Sequence, residues 1–227
     1  MNSLHIAIGI GAGIATIASA IGALFLVQYL DRQHSRNALK PYAQLRDWKE
    51  VPLGTKSLMR YASSPTWMRF FWGHAGISVG GTWKGMPAEL SITRVYRYQT
   101  ATAVAVGCTR PREGMGPVVV TDRKDLALKY YGSDREPAEP YPTQSAEFVQ
   151  RFRIWGNAPD VASMFTPDIQ RAVLAFPGQI NNVSFDGKVA KATWLGLEQD
   201  PTVIDLALDL AANLCLEARK NSPTSRE

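Results

Sequence analysis

One stretch limits what this chain can fold into more than any other: IAIGIGAGIATIASAIGALFLVQYL, residues 6–30, which carries no charged side chain before Asp31. Glycines at every second position, Gly9, Gly11 and Gly13, first raise the strand–turn–helix unit that cradles a dinucleotide. LHIAI reads as a short strand, and Asp31 falls 20 residues after Gly11, where a ribose-binding carboxylate belongs. The third glycine of G-x-G-x-x-G is missing, however: its place falls on Ile14 counted from Gly9 and on Thr16 counted from Gly11. Residues 14–30 are also apolar on every helical face, whereas a helix covering a sheet keeps a polar outer side. A nucleotide site is therefore rejected.

A helix in lipid needs only length and polarity. Crossing about 30 Å of hydrocarbon takes roughly 20 apolar residues, and Ile6–Tyr29 supplies 24 without a charge. A cleaved signal peptide would carry a basic segment before a shorter run, and MNSLH has neither Lys nor Arg. The sequence thus predicts an uncleaved transmembrane helix over 1–30. Between Asp31 and Arg60 lie seven basic residues against three acidic ones. Basic flanks stay on the cytoplasmic side, so the expected topology is a single-pass protein of the inner membrane, N-terminus outside and the remainder cytoplasmic. Arg32, Arg36, Lys40 and Arg46 form a collar suited to anionic lipid headgroups, or simply to fixing topology. Gly9 and Gly13, then Ala18 and Gly22, lie four apart. Small residues at that spacing let another helix approach closely in lipid, and a polytopic transporter subunit is the partner such a face would take.

The 197 residues that follow are enough for one or two domains. The net charge of +5 is concentrated near the apolar run, and no basic helix or aromatic–basic platform points to nucleic acid. Cys108 in VAVGC and Cys215 in ANLCLEA read as core residues, kept as thiols by a reducing cytoplasm.

Past a basic neck over 31–60 the apolar period changes to two. WMRFFWGHAGISVGG and AELSITRVYRY alternate as half-buried strands do, while ATAVAVGC and GPVVVT are apolar enough for the middle of a sheet. GGTWKG, residues 80–85, reads as a hairpin turn, and TDRKDLALKYY as a short helix capped by Thr121 or Asp122. A proline-rich linker spans 132–146, and EFVQRFRIWG then alternates Phe148, Phe152 and Ile154 as a strand. Thr166-Pro167-Asp168 and Asp200-Pro201-Thr202 each open a helix, and a hairpin between them turns at Asp186-Gly187. The expected soluble part is α+β, an antiparallel-rich sheet with helices. It falls into halves over 61–131 and 147–218, possible relatives of one another, and ends in a disordered tail over 219–227.

Candidate chemistry is sparse. His5 and His34 flank the apolar run, leaving His74 alone in a strand-like segment without metal-ligand spacing around it. Lys84 lacks the G-x-x-x-x-G-K-[ST] context, and Asp122 and Asp125 read as a cap and a first-turn acid rather than an acid–base pair. No catalytic residue, cofactor site or metal site is expected. Trp67, Trp72, Trp83, Trp155 and Trp194 read as core, with a lipid-lined groove as the alternative.

EFVQRFRIWGNAPDVASMFTPDIQRAVL, through Glu147, Phe148, Arg151, Phe152, Ile154, Asp160, Thr166 and Pro167, resembles a family of actinobacterial single-span membrane proteins that includes the mycobacterial trehalose monomycolate transport factor. Asn157-Ala158-Pro159 departs from the acidic turn usual there. The resemblance implies a non-enzymatic accessory subunit of an inner-membrane lipid-transport complex, either an MmpL-type exporter or a Mce-type importer. The alternative is a membrane-anchored sensor or enzyme for lipid precursors.

Overall fold

The computed structural model describes residues 2–51, 58, 77–95, 99–110, 112, 115, 118–122, 145–156, 158–177 and 180–220. In the first helix it describes the side chains from residue 16 onward, apart from 17, 24 and 28. The expectations for His74, Trp67, Trp72, the helix beyond Asp122 and most of the 132–146 linker lie outside these residues.

Among the described residues, alternation in the sequence becomes one eight-stranded sheet. Its strands are β1 (Lys49–Glu50), β2 (Ile77–Trp83), β3 (Met86–Val95), β4 (Gln99–Gly107), β5 (Val118–Asp122), β6 (Phe152–Trp155), β7 (Ile180–Phe185) and β8 (Val189–Leu195). They lie in the order β1-β2-β3-β4-β8-β7-β5-β6, and every neighbouring pair is antiparallel. Strands from 61–131 and 147–218 share this sheet, with β5 between β7 and β6. The alanine-rich β4 is central, as its apolar run predicts.

Antiparallel register aligns one side chain per strand on the same face. Val79, Leu90, Val104, Ala192, Val183, Val120 and Ile154 form such a row, and all are buried. Helices cover that face. α1 (Asn2–Arg46) packs its last turns on β2 and β3, and α2 (Ala146–Arg151) leads into β6. α3 (Ala158–Met164) and α4 (Pro167–Leu174) lean on α5 (Pro201–Lys220), which lies along β4 and β8. The stripe expected on the last helix is the centre of this layer: Ile204, Ala207, Leu208, Ala211, Leu214 and Cys215 are buried.

Two turns follow from their residues. The β2–β3 hairpin turns at Lys84-Gly85, both with positive φ. In the β7–β8 hairpin, Asp186 accepts from the backbone N–H of Lys188 at 3.0 Å and of Val189 at 2.8 Å. Gly187 has φ +85° there, and a Cβ would stand 2.6 Å from the carbonyl of Arg112, so only glycine fits.

The structure corrects two local expectations. EFVQRFRIWG is not all strand: residues 146–151 are helical, opened by Ser145, whose hydroxyl accepts from the Phe148 N–H at 3.1 Å. Phe148 and Phe152 are four apart, a spacing that fits a helical turn as well as a strand, and their rings meet at 5.0 Å. Thr121 and Asp122 are buried at the end of β5, and the helix they are expected to cap lies outside the described residues. Thr166 precedes Pro167 as expected, yet its hydroxyl makes no capping bond.

The larger correction concerns fold class. The soluble part is the expected antiparallel α+β sheet, but among the described residues no helix is long and apolar enough to cross a membrane. α1 continues unbroken past residue 30, through Asp31, Arg32, Arg36 and Lys40, to Arg46.

Candidate functional site

α1 has two parts with opposite surroundings. In its last turns Ala38, Leu39, Tyr42 and Ala43 recur at helical spacing and are buried against the sheet, where Trp48 closes edge-on to Tyr42 at 5.6 Å between ring centroids. Trp48 lies so close to β2 that a Cβ on Gly81 would stand 2.3 Å from its ring. Before Ala38 the helix leaves the domain. Ile21, Phe25, Leu26, Val27, Tyr29 and Leu30 are each about half exposed. Among the described residues, Leu26 and Val27 are successive and about 100° apart around the axis, so half-exposed apolar side chains fall on more than one face of this arm.

The predicted small-residue face lies on this arm. Ala18 and Gly22 are exposed, and a Cβ on Gly22 would meet nothing within 4 Å. Gly9 and Gly13 belong to the same helix, with side-chain surroundings outside the described residues. The basic collar divides. Arg32 and Lys40 are exposed. Arg36 donates to both carboxylate oxygens of Glu50, at 3.0 and 2.8 Å, a bidentate pair at the surface. Arg46, itself exposed, pairs with Asp205 of α5 and stacks over the Trp83 ring, 5.1 Å from its centroid.

Arg46 belongs to a polar clamp that spacing alone did not disclose. Tyr42 donates to Asp205 Oδ1 at 2.7 Å, Trp83 Nε1 donates to Asp209 Oδ1 at 2.7 Å, and Lys84 Nζ reaches the same oxygen at 2.8 Å. One helical turn of α5 thus holds α1 through Asp205 and the β2–β3 hairpin through Asp209. Burial, then the Asp205 carboxylate, raises the Tyr42 hydroxyl well above the ordinary tyrosine value. Asp205 and Asp209 lie four apart, on the same face of α5.

The cysteines differ from expectation. They sit in the core as predicted, Cys215 buried and Cys108 partly so, but they are joined in a disulfide across a Cα–Cα distance of 5.2 Å. The bond ties the residue after β4 to the middle of α5. Neither could be paired from sequence, because their separation of 107 residues hides that β4 and α5 pack together.

Elsewhere the chemistry is modest. Among the described residues no three His, Cys, Asp or Glu side chains are grouped to hold a metal ion. On the second face of the sheet, Glu89, Ala105 and Lys191 are cross-strand neighbours. Glu89 is buried and accepts from the Leu58 N–H at 2.8 Å, while burial lowers the Lys191 amine below the ordinary lysine value against the pull of Asp186 and Glu89. A surface groove of about 490 Å³ between α4 and α5 is lined by Ile169, Ala172 and Leu216 with a mixed-charge rim. Of the tryptophans, Trp194 is fully in the core, edge-on to Phe176, and Trp83 is committed to the clamp.

The chain was compared with known proteins. No family model and no curated protein matches it. The crystal structure of the mycobacterial trehalose monomycolate transport factor A, TtfA, superposes with a TM-score of 0.52 at 13% identity, covering 81% of this chain and 93% of that one. The two share a fold. At that identity the likeness to TtfA is one of backbone architecture, and it agrees with the partial resemblance carried by residues 147–174.

Proposed function

We propose that this chain is a non-enzymatic accessory factor of a lipid-transport assembly of the mycobacterial type. In this reading the exposed arm of α1 docks on a membrane-embedded transporter subunit, and Arg32 and Lys40 meet anionic lipid headgroups. The observation that carries the reading is the arm itself. A helical arm with apolar side chains such as Ile21, Leu26, Val27 and Leu30 half exposed, continuous with a domain of the TtfA fold, is costly in water and calls for a covering partner. Ala18 and Gly22 offer that partner's backbone a place to approach closely, and headgroup attraction adds about 1 kcal/mol for each basic residue near the surface. The name of TtfA supplies the class of cargo, a mycolate-bearing lipid.

The test is recovery of the full chain from native membranes in mild detergent, with bound proteins identified by mass spectrometry. The expected result is a polytopic transporter that accompanies wild type and is lost from the Ala18→Leu, Gly22→Leu double variant. Both substitutions point into open space, so the domain itself should melt unchanged. Wild type recovered without any membrane protein would reject the proposal.

A further inference from the structure

We infer that the domain is a substrate of a thiol–disulfide oxidoreductase and matures on the oxidising, exported side of the membrane. Three observations carry this, none of which depends on the lipid-transport reading. The sequence holds two cysteines, and both are used in the single bond Cys108–Cys215, so no odd thiol is left to mispair. The bond joins the residue that follows β4 to α5, the helix packed along β4, so folding delivers the sulfurs to one another without moving backbone. Its Cα–Cα distance of 5.2 Å lies within the range that a disulfide spans unaided. A reducing compartment would keep such a pair as thiols, and the basic residues first read as marking a cytoplasmic domain are in part committed elsewhere: Arg36 to Glu50 and Arg46 to Asp205.

The difference in exposure sets the order of steps. Cys108 is partly exposed and Cys215 is buried. The Cys108 thiolate attacks the oxidoreductase disulfide, forming a mixed disulfide and releasing one enzyme sulfur as a thiolate. The Cys215 thiolate then attacks the Cys108 sulfur, closing the native bond and expelling the second enzyme sulfur. Two thiols of this chain are oxidised, one enzyme disulfide is reduced to a dithiol, and the two protons end on that dithiol.

The test uses the full chain in its native cells, quenched in acid, denatured and treated with a polyethylene-glycol maleimide. The expected result is no mass shift without reductant and a two-adduct shift after reduction. Two adducts without reductant would overturn the inference. In cells lacking the exported-side dithiol oxidase, the chain should accumulate with both thiols reactive; an unchanged disulfide there would overturn it too. The Cys108→Ala, Cys215→Ala variant, expected to show no adduct under any condition, keeps the readout specific even if that variant folds poorly. A Cys215→Ala single variant should accumulate a mixed disulfide through Cys108. Its absence, with Cys215-linked species from Cys108→Ala instead, would reverse the assigned order and reject the exposure argument.

Discussion

Tyr42 shows how one side chain reports the docking of α1. Its hydroxyl is buried and donates to Asp205, which keeps it protonated above the ordinary value of 10.0. In the unfolded chain Tyr42 ionises at the ordinary value, so its stabilising share is complete below pH 10.0 and is lost as pH rises through the raised folded value. Urea midpoints at about pH 8 and pH 11 should therefore fall further for wild type than for Tyr42→Phe. At neutral pH the variant should be less stable by roughly 1.5–3 kcal/mol, the range for a hydrogen bond to a charged group. Equal alkaline slopes would mean that the hydroxyl is not held in the clamp. Gly81 is a second single-residue test, because its missing Cβ is filled by Trp48. Gly81→Ala should cost about 1–3 kcal/mol through overpacking, and most of that cost should vanish in a Trp48→Ala background. An equal penalty in both backgrounds would place the strain elsewhere.

Among elements, α5 organises the domain. Leu208 and Leu214 are fully buried beneath it, so Leu208→Ala or Leu214→Ala should each lower stability by roughly 2–5 kcal/mol in denaturant titrations. Melting like wild type would mean that the helix is not packed on the sheet. This element was fully legible: Asp200 and Pro201 mark its start, and an apolar stripe at helical spacing marks its buried face. The two hairpins were legible from Lys84-Gly85 and Asp186-Gly187 for the same reason, since turn chemistry is local. What the sequence concealed was non-local or degenerate in period. Phe148 and Phe152 satisfy a strand and a helix equally, so α2 was hidden inside a strand. The clamp and the disulfide depend on which elements the topology makes neighbours, and no local spacing encodes that Tyr42 meets Asp205, 163 residues away. α1 runs on past its apolar stretch, because helices end on caps and breakers rather than on polarity. Pro41 does not stop this one.

At the scale of the whole molecule, a single covalent link spans nearly half the chain. Closing a loop of 107 residues removes unfolded-state freedom equivalent to roughly 4–5 kcal/mol. For a domain of this size that amounts to a fall in melting temperature of about 10 °C or more on reduction. Scanning calorimetry with and without reductant checks this, and coincident melts would show that the link constrains nothing. Away from the sheet's helix-covered face extends the arm of α1, with Ile21, Leu26, Val27 and Leu30 about half exposed. Because that arm is one unbroken helix with its last two turns seated on β2 and β3, it behaves as a lever with its fulcrum at the clamp. From Tyr42 back to Thr16 the helix runs about 39 Å. A rocking of about 10° at the clamp would therefore sweep Thr16 sideways by roughly 7 Å. A pull on the arm would in turn bear on α5 through Asp205, which holds both Tyr42 and Arg46.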